Sequence, residues 1–351
     1  MTAQHETSRK PIKPDHTPTM RKMISNLIRA IIVAYGISMI IILVLRIVPG
    51  ERLLPIAFLN SFLHLAWLPV LILLPLCLIW RKWREALLLS PVLLAFIVSY
   101  GPLFLPQPAL SIPEHSITLK VMSYNILQRP VGHDDVINVI QTADADIVAL
   151  QEVNVGLAAV IEDSLQGMYP YMRIHPGGAD GIGQTGGQAV LSRYPILEDD
   201  FWFYQSPNLG NQRVLLDIDR RDVVLYNAHP AHPGLAQNRY FDPRIRQEQI
   251  NDILQRANSE TQPVFLMGDF NMPDLSEAYQ SVVEHYVDAW QSAGWGLGWT
   301  FAYNPNLYPP FLRLDYVFHD ENFVVSSASV WSENGGSDHS PVRATLHLLP
   351  E

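Results

Sequence analysis

The stretch PVFLMGDFNM (Pro263–Met272) runs four apolar residues, Val264–Met267, straight into Gly268, Asp269 and Asn271. A short apolar run closed by turn residues reads as a strand buried on both faces. Polar groups just past its end stand where a sheet edge presents side chains to a site. The same arrangement recurs outward in both directions. Asn125 ends the apolar part of VMSYNIL (Val121–Leu127), Glu152 that of ADIVALQEV (Ala145–Val153) and His229 that of LYNAHP (Leu225–Pro230). RLDYVF (Arg313–Phe318) and SDHSPV (Ser337–Val342) add Asp315, Asp338 and His339.

From Thr118 onward, short β-branched and aliphatic runs alternate with helical periodicity, which predicts an α/β domain. Expected strands are 119–124, 147–151, 188–192, 214–218, 223–227, 264–267, 314–318 and 324–330; expected helices are 134–142, 156–165, 244–257 and 275–286. Singly, each polar residue has a plain explanation: Asn125 a turn, Glu152 a helix N-terminal acid, Asp269 and Asn271 a hydrogen-bonded turn, Asp338 an N-cap. Together, carboxylates, carboxamides and two histidines at consecutive strand ends make a hard-oxygen cluster, suited to Mg²⁺ and a phosphate rather than to zinc.

With GGQAVLSRYPI (Gly186–Ile196), these segments resemble the endonuclease/exonuclease/phosphatase superfamily, in its order and over essentially all of residues 117–348. LQE, GDFN and SDH carry most of the signal. The resemblance implies a four-layer αββα sandwich of two packed mixed β-sheets with the site at one edge. It also implies Glu152 as principal metal ligand, with Asp338 near the metal and Asn125 beside metal and phosphate. Asp269 and Asn271 then orient the attacking water and a phosphate oxygen. His339 meets the reacting phosphate, Asp315 bonds its imidazole, and His229 matches a second histidine of some branches. The implied cofactor is Mg²⁺, with Mn²⁺ as a substitute. Leu127 departs from members that carry a polar residue there. Arg213 and Arg246 read either as positive charge for substrate or as surface ion pairs, and Gly177–Gly187 as a flexible loop beside the site.

Upstream the chain changes character. Sixteen uncharged residues separate Arg29 from Arg46, Leu53–Trp80 holds no acid, lysine or arginine, and Ala86–Leu105 is a third such run. These predict three membrane spans, about 24–46, 57–80 and 86–105, with Pro69, Pro75 and Pro91 as kinks. A cleaved signal peptide is the competing reading of the first run, but no A-x-A site follows Leu45. The expected organisation is a cytoplasmic tail (1–22), three helices (23–105), a Pro-rich linker (106–116) and the α/β domain (117–351). Arg21, Lys22 and Arg29 before span one, and Arg81, Lys82 and Arg84 after span two, place the N-terminus in the cytoplasm. The domain then lies on the extracytoplasmic side of a cell membrane. The single cysteine, Cys77, falls in the second run, so that domain makes no disulfide.

The net charge of -10 over 351 residues hides an asymmetry. Residues 1–111 hold 11 basic and 4 acidic side chains, +7; residues 112–351 hold 13 and 30, -17, with Lys120 the one lysine. A domain so acidic is ill suited to polyanions, so nucleic acid is not the expected partner. The layout, with NAHPAHP (Asn227–Pro233) and with Arg246 and Gln249 downstream, resembles the membrane-anchored bacterial branch of the superfamily, the teicoplanin-resistance type. That resemblance implies a phosphohydrolase acting on a membrane lipid or lipid-linked phosphate such as undecaprenyl pyrophosphate. The alternatives are an extracytoplasmic nuclease and, from another class, a catalytically silent membrane receptor. Trp290–Tyr303 and Leu307–Leu312 are aromatic-rich and read as core, or as surface near the bilayer.

Overall fold

The computed structural model describes residues 20–105, 111–127, 132–177, 186–204, 209–234 and 240–350. The tail to residue 19, linker residues 106–110 and glycine-rich residues 178–185 therefore lie outside the described residues.

The uninterrupted apolar runs form the sheet centres. One sheet has the order β11-β12-β1-β2-β4-β3: β11 (Phe323–Val330), β12 (Val342–Leu348), β1 (Ile117–Asn125), β2 (Ile147–Gln151), β4 (Gln188–Ser192) and β3 (Tyr171–His175). The other runs β5-β6-β7-β8-β10-β9: β5 (Ile196–Phe203), β6 (Gly210–Ile218), β7 (Arg221–Ala228), β8 (Val264–Asp269), β10 (Asp315–His319) and β9 (Val287–Asp288). Each sheet is mixed, with one parallel pair, β1 with β2 and β7 with β8, where a helix makes the crossover.

Between the sheets lies an aliphatic core including Val121, Ala149, Val190, Val214, Leu225, Met267 and Leu346. The outer face of the first sheet is covered by α5 (His133–Ala143) and α6 (Val155–Leu165), that of the second by α7 (Arg244–Ala257) and α8 (Glu277–Val283). Periodicity dictates this: in α5, Val136, Ile137, Val139, Ile140 and Ala143 form the buried stripe while Asp134 and Asp135 occupy its first turn. The result is the expected four-layer αββα sandwich. Strands β3, β5, β9 and β12, and the short helix α9 (Ala289–Ala293), go beyond the elements expected from sequence. The missed β5 is an edge strand, ILEDDFWF, whose acids suppress the apolar signal.

The N-terminal helices are α1 (Met20–Ile47), α2 (Leu54–Trp67), α3 (Val70–Ile79) and α4 (Trp83–Tyr100). By length and composition Met20–Ile47 and Trp83–Phe104 are sufficient to cross a membrane; α2 and α3 together make a third such length, bent by 45°. The bend falls at Leu68 and Pro69, where the ring removes a backbone donor. One stripe of α2 (Ile56, Asn60, Leu63, His64, Trp67) is buried. The helices do not hang free of the sandwich. Arg46 donates to the carbonyl of Leu275 at 3.1 Å, the Glu51 N–H to Glu277 at 2.7 Å and the Tyr100 hydroxyl to Asp274 at 2.9 Å. Nε2 of His64 lies 2.7 Å from the Phe311 carbonyl. Gly50 permits the Glu51 contact: its φ is +60°, and a Cβ there would collide with the Glu277 carboxylate.

Candidate active site

Asn125 and Asp269 are the last residues of β1 and β8, Glu152 and His229 follow β2 and β7, and Asp315 opens β10. Because the strands reach one edge of the sandwich together, the folding of both sheets gathers these groups. Gly268 makes that approach possible, since a Cβ would strike the Ala228 carbonyl on the neighbouring strand. Glu152 and Asn271 take left-handed backbone, φ +64° and +50°. Such strained turns point the side chains out of the sheet line.

Asn125 is a clamp. Its Nδ2 donates to Asp269 at 3.0 Å and to Glu152 at 3.2 Å, and its Oδ1 accepts from the Leu127 N–H at 3.1 Å. Leu127 therefore contributes a backbone donor where its side chain has none to offer. Asp269 accepts from the Asn271 N–H at 2.9 Å. The Asn271 amide donates to the Pro230 carbonyl at 3.0 Å, and among the described residues its second N–H remains for another acceptor.

Two histidines flank Asp269, each with Nε2 3.6 Å from its Oδ2. Their environments pull them apart. Burial opposes charge on His339, but Asp315, 2.8 Å from Nδ1, and then Asp269 push its pKa up to about 10. His229 is fully buried, and burial takes it down to about 4 despite Asp269. At neutral pH the first is an imidazolium and the second a neutral ring, the separation expected of groups with distinct roles in proton transfer. Burial raises the pKa of Asp269, which makes it a stronger proton acceptor than a solvated carboxylate.

Asp269, Asp315 and His339 offer atoms all within 4.8 Å of one another, close enough to hold a cation. The donor set on the other side of Asp269 fits one better. The half-buried Asp338 has an Oδ1 sealed from solvent with no hydrogen-bond partner among the described residues. Burial raises its pKa, and the neighbouring Glu152 charge adds to the rise. Two acids in mutual repulsion with an unsatisfied oxygen suit a hard divalent cation, whereas His339 Nδ1 is already committed to Asp315.

The structure thus brings Asn125, Glu152, His229, Asp269, Asn271, Asp315, Asp338 and His339 to one edge. It adds supports that sequence reasoning passed over. Ser337 donates to the Asn125 carbonyl at 2.7 Å and accepts from the His339 N–H at 3.1 Å; it stands in SDH and was open to notice. Phe301, its ring centroid 4.9 Å from that of His339, had no signal in sequence. Arg213 turns away into a bidentate ion pair with Glu260, at 2.6 and 3.0 Å, plus Glu198. Arg246 is neither a surface pair nor open to substrate: it is buried and donates to the Asn271 carbonyl at 2.7 Å.

Fold and site together define a class, the two-sheet α/β hydrolases that work at an acidic, histidine-bearing sandwich edge. Residues 122–339 match the model of the Endonuclease/Exonuclease/phosphatase family, and the chain belongs to that family, whose members are phosphoesterase and nuclease hydrolases. Among solved structures, an endonuclease/exonuclease/phosphatase from Bacteroides vulgatus is similar at 18% identity and TM-score 0.55, over 66% of this chain and 99% of that one. A Bacteroides thetaiotaomicron mannosyl-6-phosphatase matches at 19% and 0.53, over 65% and 99%. Humanized D. rerio TDP2 matches at 17% and 0.53, over 65% and 98%. At such identities the likeness is one of fold. No curated protein matches the chain.

Proposed function

We propose that the chain is a membrane-anchored, Mg²⁺-dependent phosphohydrolase whose site lies at the extracytoplasmic face and takes a lipid or lipid-linked phosphate. The carrying observation is the pairing of two features. The helices expose apolar side chains along their length, Ile24, Ile31, Ile41, Ile72, Leu87 and Leu94 among them, as a bilayer requires. The same helices bond the loop after Asn271 and the segment around Phe311. A site held that close to the helix ends meets phosphates that are themselves anchored in lipid. The -17 charge of residues 112–351 favours this over a nuclease reading.

Glu152 and Asp338 would hold the cation, with the Asn125 amide beside it; when bound, Mg²⁺ supplies charge neutralisation at the phosphoryl oxygens. Asp269 accepts the proton of the attacking water. The imidazolium of His339 donates through Nε2 to a phosphoryl oxygen as charge builds there, and Asp315 fixes the ring for that task. His229, neutral, and the free N–H of Asn271 orient the phosphate. The water oxygen bonds to phosphorus as the P–O bond to the leaving group breaks, and the proton taken up by Asp269 then passes to the leaving oxygen, giving phosphate or a phosphomonoester and the protonated leaving group.

The test is phosphate release by full-length protein in vesicles, across phospholipids and polyprenyl diphosphates, beside His339→Ala. Mg²⁺-dependent release by the wild type alone supports the reading; DNA degradation without lipid turnover overturns it. A reporter fused after Glu351 checks the orientation, and a cytoplasmic signal would reverse it.

A further inference from the structure

A cleft of about 700 Å³ opens beside Asp338 and runs away from Asp269 and His339 between the loop carrying Leu307 and Tyr308 and the segment Trp331–Asn334. Its walls combine Trp299, Leu307, Tyr308 and Trp331 with the polar Asn306, Ser332 and Asn334. Among the described residues no lysine, arginine or histidine lines it, and Asp338 is the one charged group there. A group lying in it beside the site would meet no cationic partner, so the lining suits an uncharged group best. A nucleic-acid strand would place its next phosphates in a cleft with no cation to receive them.

One wall residue of the cleft reaches the apolar helices. The Trp299 ring stands 5.6 Å from that of His64 on α2. Beyond it, Trp295 contacts Phe104 just past α4, ring centroids 5.7 Å apart. Leu307 and Tyr303, 70% and 78% exposed, and the exposed Tyr308 and Trp295 leave a rim of large apolar and aromatic side chains uncovered. The two aromatic-rich segments are thus divided: Trp290, Ala302 and Leu312 are core, and these four are surface. Exposed tyrosine and tryptophan beside apolar helix ends are the groups that settle at a membrane interface.

We propose that this cleft is the binding site for the phosphate-proximal part of an apolar chain, so that the enzyme selects phosphates esterified to a lipid alcohol over water-soluble ones. This rests on the phosphohydrolase reading and names its substrate class. The chain enters between the aromatic rim and the helix ends, lies against Trp299 and Trp331, and delivers its phosphate past Asp338 to Asp269 and His339. Apart from Asp338, the side chains of the cleft belong to no part of the proposed machinery, so loss of Leu307, Tyr308 or Trp331 weakens capture of lipid substrates and leaves the chemistry intact.

Two full-length variants in phosphatidylcholine vesicles test this, the double substitution Leu307→Ser with Tyr308→Ser, which strips the rim, and Ser332→Trp, which fills the cleft. Each is expected to lower kcat/KM for a polyprenyl diphosphate at least about tenfold. Turnover of water-soluble p-nitrophenyl phosphate should stay within about twofold, because no catalytic group is touched. Quenching of tryptophan fluorescence by a brominated-chain alkyl phosphate, read in the His339→Ala background, gives binding without turnover. The double variant should weaken it by a similar factor. Lipid turnover and binding unchanged in both variants, or equal losses on lipid and soluble phosphate, would overturn the cleft assignment alone. Binding of the chain by a wild type that turns over no lipid phosphate would overturn the phosphohydrolase reading alone.

Discussion

Asp269 and Asp315 sit directly opposite one another across β8 and β10, both buried at the sandwich edge. Like charges in that relation destabilise a sheet. The pair persists because the His339 ring lies between them, 2.8 Å from Asp315 and 3.6 Å from Asp269, and carries the compensating charge. Asp315→Asn removes the group that fixes and charges the ring, and kcat should fall by about 10²-fold or more with KM little changed. The melting temperature should fall, since the buried imidazolium loses its nearest countercharge. Steady-state kinetics beside calorimetry decide it: a kcat within threefold of wild type would remove Asp315 from the machinery.

Glu152 and Asp338 crowd their charges at the open side of the same edge. Chelation should abolish phosphate release and added Mg²⁺ restore it. Glu152→Gln should raise the half-saturating Mg²⁺ concentration by about 10- to 100-fold or more, as loss of a ligand or its support does at other metal sites. Titration of activity against Mg²⁺ gives the answer, and an unchanged midpoint would place the ion elsewhere.

Much of this was legible in sequence because strand ends and polar residues coincide there. β2 and β4, IVALQ and QAVLS, are buried on both faces and read as unbroken apolar runs with the observed limits. Alternating or acid-rich edge strands such as β5 lack that signal, and β12, VRATLHL, hides behind its arginine and histidine. Asn125, Glu152, Asp269 and His339 were legible for the same reason: each ends or follows a segment whose burial its own residues declare. Arg246 was not. Its role comes from burial against the Asn271 loop and from Glu51, some two hundred positions earlier, and neither leaves a local pattern.

Arg246 carries a third prediction. Its charge is buried, and burial takes its pKa down to about 10 while Glu51, between α1 and α2, favours the charged form. Its Nη1 holds the Asn271 carbonyl. Arg246→Lys keeps the charge but cannot reproduce the planar reach of a guanidinium. It should lower kcat on a soluble phosphate ester by more than about tenfold, since an error of about 1 Å in a positioned group costs up to about 10²-fold. Glu51→Gln should give a smaller loss with a lower melting temperature, by leaving a buried cation less compensated. Equal kcat for wild type and Arg246→Lys would reduce the contact to packing.

His319, at the end of β10, gives the stability of the sandwich a pH dependence. The ring is buried, its Nδ1 donating to the Asp320 carbonyl at 2.7 Å and its Nε2 without a partner among the described residues. Burial holds its pKa below the usual imidazole range. The unfolded chain, with an ordinary imidazole near about 6.5, takes up a proton there that the native state refuses. The unfolded state thus binds more protons as pH falls, and stability drops below about pH 6.5 by at most about 1.4 kcal/mol per pH unit for this one group. Above that value the contribution is flat. Denaturant midpoints of full-length protein between pH 7.5 and 5 should therefore fall less steeply in His319→Gln than in wild type, although other buried histidines keep some slope in both. Parallel curves for the two proteins would show that His319 titrates alike in the folded and unfolded chain.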